Sequence, residues 1–180
     1  MSAQAAFRTK ILFDTNQLLQ RAKSEEEIFS LTASQLIKLL NRSLIVYPEQ
    51  NGYLGSEQFF GVDGETAQNI FSAPEERDAA NWTFANKKRS GAGTDSYPDA
   101  KGLYLALRTG GGVFGVVGID LSEKPLDAFE NSVLLSILGE GALAIENRRN
   151  ALEKEQATVQ AKNEELRANL LRTISHDLRT

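Results

Sequence analysis

Apolar residues recur at helical spacing through about residues 5–22, where Ile11, Leu12, Thr15, Leu18, Leu19 and Ala22 define an amphipathic helix. Ser24-Glu25-Glu26-Glu27 follows as a capping box. In such a box the serine hydroxyl and the third-position carboxylate each satisfy an amide that the first turn leaves unpaired. It predicts a second helix with Ile28, Leu31, Leu36, Leu39 and Leu40 as its apolar set. The period then changes to two. Ser43-Leu44-Ile45-Val46-Tyr47 predicts a buried strand that ends at Pro48. Asn51-Gly52 predicts a turn, and about residues 50–62 carry a weaker strand signal.

Ser72-Ala73-Pro74-Glu75 reads as a second capping box with proline in the first turn, opening a helix to about Lys87 with Ala79, Trp82 and Phe84. Ser90-Gly91-Ala92-Gly93-Thr94-Asp95 reads as loop. Leu103, Leu105 and Leu107 alternate with Tyr104 and Ala106, which predicts a strand. Gly110-Gly111-Gly112 permits a tight turn, and Val113 to Leu121 supplies the strand partner. The expectation is an α/β fold of the α+β kind: an antiparallel sheet with flanking helices, followed by a long C-terminal helix.

That last helix is predicted from about Leu126 to the terminus, roughly 50 residues and on the order of 75–80 Å. Its first third is apolar enough to pack on a domain, through Val133, Leu134, Ile137, Leu138, Gly141, Ala142 and Ile145. Beyond Asn147 the chain is charged and sign-balanced, with Glu146–Arg149 and Glu164–Arg167 at supportive spacing. One stripe persists at intervals of seven: Leu138, Ile145, Leu152, Val159 and Leu166. A seven-residue period marks a helix paired with another helix. The alternate positions Ala142, Arg149, Gln156, Asn163 and Leu170 are poor, so any coiled coil is weak. From Leu170 the apolar phase shifts to Leu171, Ile174 and Leu178. These breaks divide the chain into a domain at 1–146, a coiled-coil linker helix at 147–168, and the start of a further helical segment at 169–180.

Composition removes several functions. Of 180 residues, 41% are hydrophobic and 24% charged, an ordinary globular balance. The net charge of −4 and pI of about 5.2 argue against binding nucleic acid by phosphate neutralisation. The chain has no cysteine, hence no disulfide or thiolate metal site, and no metal site is expected. No continuous apolar run approaches the roughly 18 residues of a membrane span, and no signal peptide opens the sequence. Gly110-x-Gly112-x-x-Gly115 fits a dinucleotide fingerprint but is rejected, because a strand rather than a helix is predicted after it.

The remaining chemistry lies in Ser175-His176-Asp177-Leu178-Arg179-Thr180, which contains the only histidine. Imidazole attacks a phosphorus through one nitrogen while the other bears a proton, and a neighbouring carboxylate can hold that proton and raise the nucleophilicity of the ring. Asp177 adjoins His176, and Thr180 lies three residues beyond the aspartate.

This segment resembles the phosphoacceptor box of bacterial sensor histidine kinases. Asn81-Trp82-Thr83-Phe84, Ser90 to Pro98 and Leu103-Tyr104-Leu105-Ala106-Leu107 resemble the GAF domain of the osmosensitive potassium-channel sensor kinases, the KdpD type. The stretch Ala168–Thr180 is similar to that family's box and its lead-in. The resemblance covers roughly residues 80–180. It implies a GAF sensor domain and the truncated start of the kinase dimerisation domain. His176 would be the phosphoacceptor, Asp177 the group holding the imidazole proton, and Thr180 the positioner of the water that dephosphorylates the regulator.

The same resemblance implies a parent protein with an N-terminal cytoplasmic region bearing nucleotide-binding motifs, four membrane helices, this domain and a kinase core. That parent is anchored in the bacterial inner membrane and controls synthesis of a high-affinity potassium pump. The chain would be a cytoplasmic portion of it, without membrane contact of its own. Its partners would be a second copy through the C-terminal helix, a response regulator and the kinase's ATP-binding domain. ATP and magnesium belong to the parent; this piece is expected to hold no cofactor and to be inactive alone. GAF domains often bind small molecules, and Trp82, Gly91, Gly93, Thr94 and Asp95 are the pocket candidates. The other reading of those residues is that the glycines serve tight turns and Trp82 fills core. The competing functions are a stand-alone small-molecule-binding protein and a ligand-free structural dimerisation module.

Overall fold

Leu103, Leu105 and Leu107 belong to one hydrophobic core and Tyr104, between them in sequence, to another. The same sorting separates Leu44 and Val46 from Ile45 and Tyr47, and Val117 and Ile119 from Val116. Alternate side chains of a strand leave opposite faces, so the sheet is buried on both sides. The computed structural model describes residues 2–179. Its elements run α1 (Ala3–Gln20), α2 (Glu25–Leu40), β1 (Leu44–Gln50), β2 (Tyr53–Leu54), β3 (Gln58–Phe60), α3 (Gly64–Ile70), α4 (Pro74–Asn86), β4 (Ser90–Gly91), β5 (Gly102–Thr109), β6 (Gly112–Asp120) and α5 (Ala128–Arg179).

The sheet is antiparallel with order β2-β1-β6-β5-β4, and β3 pairs with β1 beside β2. Buried residues of α1, α2 and α5 cover the Leu103 side, and those of α4 cover the Tyr104 side. The β5–β6 hairpin has the expected partners, Leu103 with Ile119, Leu105 with Val117 and Leu107 with Gly115. A register shift after Leu107 marks a bulge beside the turn. The glycine fingerprint is therefore a hairpin with a strand after it.

Local signals act as their chemistry dictates at several points. Ser24 Oγ accepts from the Glu27 amide at 3.1 Å, and Glu27 reaches back to the Lys23 amide at 2.8 Å. Asn51 and Gly52 both have positive φ, 54° and 87°, as the tight β1–β2 turn requires. All seven apolar residues expected to pack α5, from Val133 to Ile145, are buried. Gly141 lets α5 approach α2: a Cβ there would lie 2.7 Å from Thr32 Oγ1.

Other expectations need correction. The first strand does not end at Pro48 but runs to Gln50. The Pro48 carbonyl accepts from the Gly55 amide at 2.7 Å, so its missing N–H faces that same outer side, between the short partners β3 and β2, and costs no bond to β6. Ser72 is not a helix cap. Ala73 occupies that position without a side-chain bond, and the Ser72 hydroxyl donates to the Asn69 carbonyl at the end of α3 instead. Helix α3 had no sequence signal, being only seven mostly polar residues, about two turns, after Asp63. Ser90–Gly91, expected as loop, pairs with Tyr104 and Leu103.

One window of α5 is long and apolar enough, by length and composition, to cross a membrane, although no continuous run of that kind was expected. Scattered polar residues such as Glu130 and Glu140 interrupt the run without lowering its mean enough. Seven residues within it, from Val133 to Ile145, are buried in the domain core, and the core helix of a soluble protein can have the same length and composition.

The chain divides into two compact units, Met1–Glu146 and Asn147–Thr180. Described residues of the second unit are helical, and from residue 151 onward each is exposed.

Candidate functional site

His176 is placed by helical register alone. It lies near the end of α5, and its side chain is 80% exposed beside Asp177 at 76%. Nδ1 of the imidazole sits 3.8 Å from Asp177 Oδ1. That distance exceeds a hydrogen bond but is within reach of a small side-chain rotation. Nδ1 is thus the ring nitrogen that lies within 4 Å of the carboxylate. Thr180 lies outside the described residues. Leu170, Leu171, Ile174 and Leu178, the shifted apolar set, are all exposed.

In the first unit, the candidate pocket residues separate. Gly93 and Thr94 line an open cavity of about 420 Å³ together with Arg89, Leu103, Leu126 and Asn131. Trp82, Gly91 and Asp95 are not among its lining residues. Trp82 is half-buried on α4 and joins neither core. Gly91 has φ of +93° and a Cβ there would meet the Gly102 carbonyl oxygen at 2.0 Å, so this glycine serves strand pairing. The Thr94 hydroxyl is committed to its own loop, donating between the Gly91 and Ser96 carbonyls at 2.8 Å each.

On the sheet face under α4 lie two charged side chains that the sequence did not single out, Glu76 and Arg77. Glu76, in the first turn of α4, is buried and accepts from the amides of Lys101 and Gly102 at 2.9 Å and from the Tyr104 hydroxyl at 2.8 Å. Burial pushes the Tyr104 phenol well above its usual range, and the Glu76 charge and hydrogen bond add to the shift. Burial raises Tyr47 as well, against the opposing effect of Arg77. Arg77 lies over the Tyr47 ring at 4.9 Å and donates to the Leu54 and Gly55 carbonyls, holding the β2–β3 connection to α4. A glutamate in a first helical turn reads as a dipole partner, which hides its role here.

Arg42 was equally hidden. It follows Asn41, the left-handed cap of α2, and its guanidinium is buried among acceptors at the start of α5. Among the described residues no group of three or more histidine or acidic side chains could hold a metal ion.

A sensor protein KdpD of Clostridium acetobutylicum is 33% identical over 174 residues, 96% of this chain. The same-named protein of Escherichia coli K12 is 28% identical over 176 residues, again 96% of the chain. The crystal structure of the native GAF domain of the potassium sensor histidine kinase KdpD from Escherichia coli superposes with a TM-score of 0.56 at 20% identity, covering 84% of this chain and 99% of that one. The first unit has the fold of a GAF domain, and the chain is similar along nearly its whole length to the KdpD sensor proteins. It spans 19% of the length of each KdpD protein it matches. No family model matches it. The expected GAF architecture, a mixed helix and sheet domain with a long C-terminal helix, is thus the observed one.

Proposed function

We propose that this chain is the regulatory GAF domain of a sensor histidine kinase together with the opening of its phosphoacceptor helix. The KdpD match over nearly the whole chain carries this reading, since it runs through the domain and on towards the histidine box. The exposed His176–Asp177 pair supports it. Nε2 of His176 attacks the γ-phosphorus of ATP, the bond from that phosphorus to the β–γ bridging oxygen breaks, and ADP leaves. Asp177 holds the Nδ1 proton, so the ring stays nucleophilic and then carries the phosphoryl group. The parent kinase supplies the ATP-binding domain and magnesium, and a response-regulator aspartate is the next acceptor. Thr180 acts in the reverse sense, positioning water for dephosphorylation of that regulator.

The parent is a bacterial membrane-anchored sensor of potassium or osmotic state, with this segment on the cytoplasmic side. Two copies associate through the C-terminal helices, using Leu152, Val159 and Leu166, which are all exposed in the single chain. Leu138 and Ile145, earlier members of the same stripe, are buried within the domain and are not available to that seam. Incubating the parent kinase with ATP and mapping its phosphopeptides under neutral conditions tests the reading. The phosphoryl group is expected on the peptide that contains His176, and its location on any other residue refutes the assignment.

A further inference from the structure

Arg42 is 7% exposed and emerges at the junction of α2 and β1. Every hydrogen bond found for its guanidinium goes to one short segment. Nη1 donates to the carbonyls of Asp120 at 3.1 Å and Lys124 at 2.6 Å, Nη2 to that of Pro125 at 2.9 Å, and Nε to Glu130 Oε2 at 3.4 Å. These acceptors span the end of β6, the β6–α5 connection and the first turn of α5. Glu130 has a second duty. Its Oε1 accepts from the Asp127 amide at 3.2 Å, while Asp127 Oδ1 accepts from the Glu130 amide at 2.8 Å, which is a reciprocal cap on α5. The neighbouring Ser43 carbonyl takes the Asp120 amide at 3.0 Å.

A planar guanidinium holds several acceptors in a fixed fork. A shift of the α2–β1 junction must therefore drag the 120–130 segment with it or break these bonds together. β1 also carries Ile45 and Tyr47 into the core under α4, on the face opposite α5. We propose that Arg42 is a latch that passes displacements of β1 into the first turn of α5. Under the kinase reading, on which its signalling meaning rests, it is the route by which an event under α4 reaches the helix that bears His176.

Hydrogen exchange on this 180-residue chain tests the latch without involving His176, so the two ideas fail separately. Arg42→Lys keeps the charge but not the fork. It should speed exchange of the amides in 121–131 by about tenfold, the equivalent of one lost charge-assisted bond, and leave the β5–β6 hairpin unchanged. Ile45→Val, one methylene removed from the far face of β1, should speed the same amides roughly threefold when Arg42 is present and add nothing in the Arg42→Lys background. Arg42→Gln, which lacks both the fork and a buried charge, serves as the alternative background if the lysine variant does not fold. No change at 121–131, an equal rise across the whole domain, or additive effects of the two substitutions each overturn the proposal.

Discussion

Glu76 Oε1 accepts the Tyr104 hydroxyl at 2.8 Å in a core where the two residues are 2% and 0% exposed. The same carboxylate takes two backbone amides at the start of β5, so one side chain of α4 fixes both the entry to that strand and the ring beneath it. Removing the hydroxyl leaves a buried charge short of a donor. Tyr104→Phe should lower unfolding stability by about 1–3 kcal/mol with an unchanged urea m-value. Denaturation of the two proteins side by side checks this, and equal midpoints would mean that the bond contributes nothing net.

Tyr104 and Tyr47 also set a pH dependence. Both keep their protons in the folded state above the ordinary value of 10.0, whereas the unfolded chain ionises there. Below that value both states hold these protons and the tyrosines add no slope. Above it the unfolded state binds fewer protons, so stability is lost as pH rises. The loss should reach about 1.4 kcal/mol per pH unit for each tyrosine. Urea midpoints taken between pH 8 and 11 should fall steeply past 10, and less steeply in Tyr104→Phe.

Gly91 and Gly93 both have positive φ but differ in surroundings. Gly91→Ala drives a methyl into the Gly102 carbonyl, whereas a Cβ at Gly93 meets nothing within 4 Å. Strain alone costs about 1–2 kcal/mol, so Gly93→Ala should lower the thermal midpoint by a few degrees. Gly91→Ala should lower it by several degrees more, as a 1 kcal/mol loss is worth about 2–4 °C in a chain of this size. Similar midpoints for the two variants would show that the β4–β5 pairing relaxes freely.

The contrast among these residues shows what the sequence could disclose. Periodic apolar positions found β1, the β5–β6 hairpin and the buried face of α5, because burial repeats with the geometry of the element. The capping box at Ser24 was visible because both partners are local. Glu76 and Arg42 were not visible, since their partners lie 25–28 and 78–88 residues away and neither shares a motif with them. The Ser72 box failed for a related reason: its hydroxyl had a nearer acceptor at the end of α3, a helix too short and polar to announce itself. Candidate pocket residues were read from type alone, and glycine in a loop serves turns and close approaches as well as ligands.

The proposed dimer seam is open to direct test. Leu152→Ala with Leu166→Ala removes two exposed leucines that pair only if a second copy binds. At about 2–5 kcal/mol for each buried leucine, the double variant should dissociate at concentrations where the wild type is dimeric. Sedimentation of the two proteins decides this, and a wild type that is monomeric at high concentration contradicts the seam.

In the proposed function His176 carries the phosphoryl group. Parent kinase incubated with labelled ATP should acquire acid-labile, base-stable phosphate. His176→Gln keeps the helix and removes the nucleophile, so its label should vanish. Asp177→Asn should label more slowly, because an amide cannot hold the imidazole proton as a carboxylate does. Loss of label in His176→Gln, with the domain still folded, is the predicted result. Label that persists at the wild-type level in that variant excludes His176 as the phosphoacceptor.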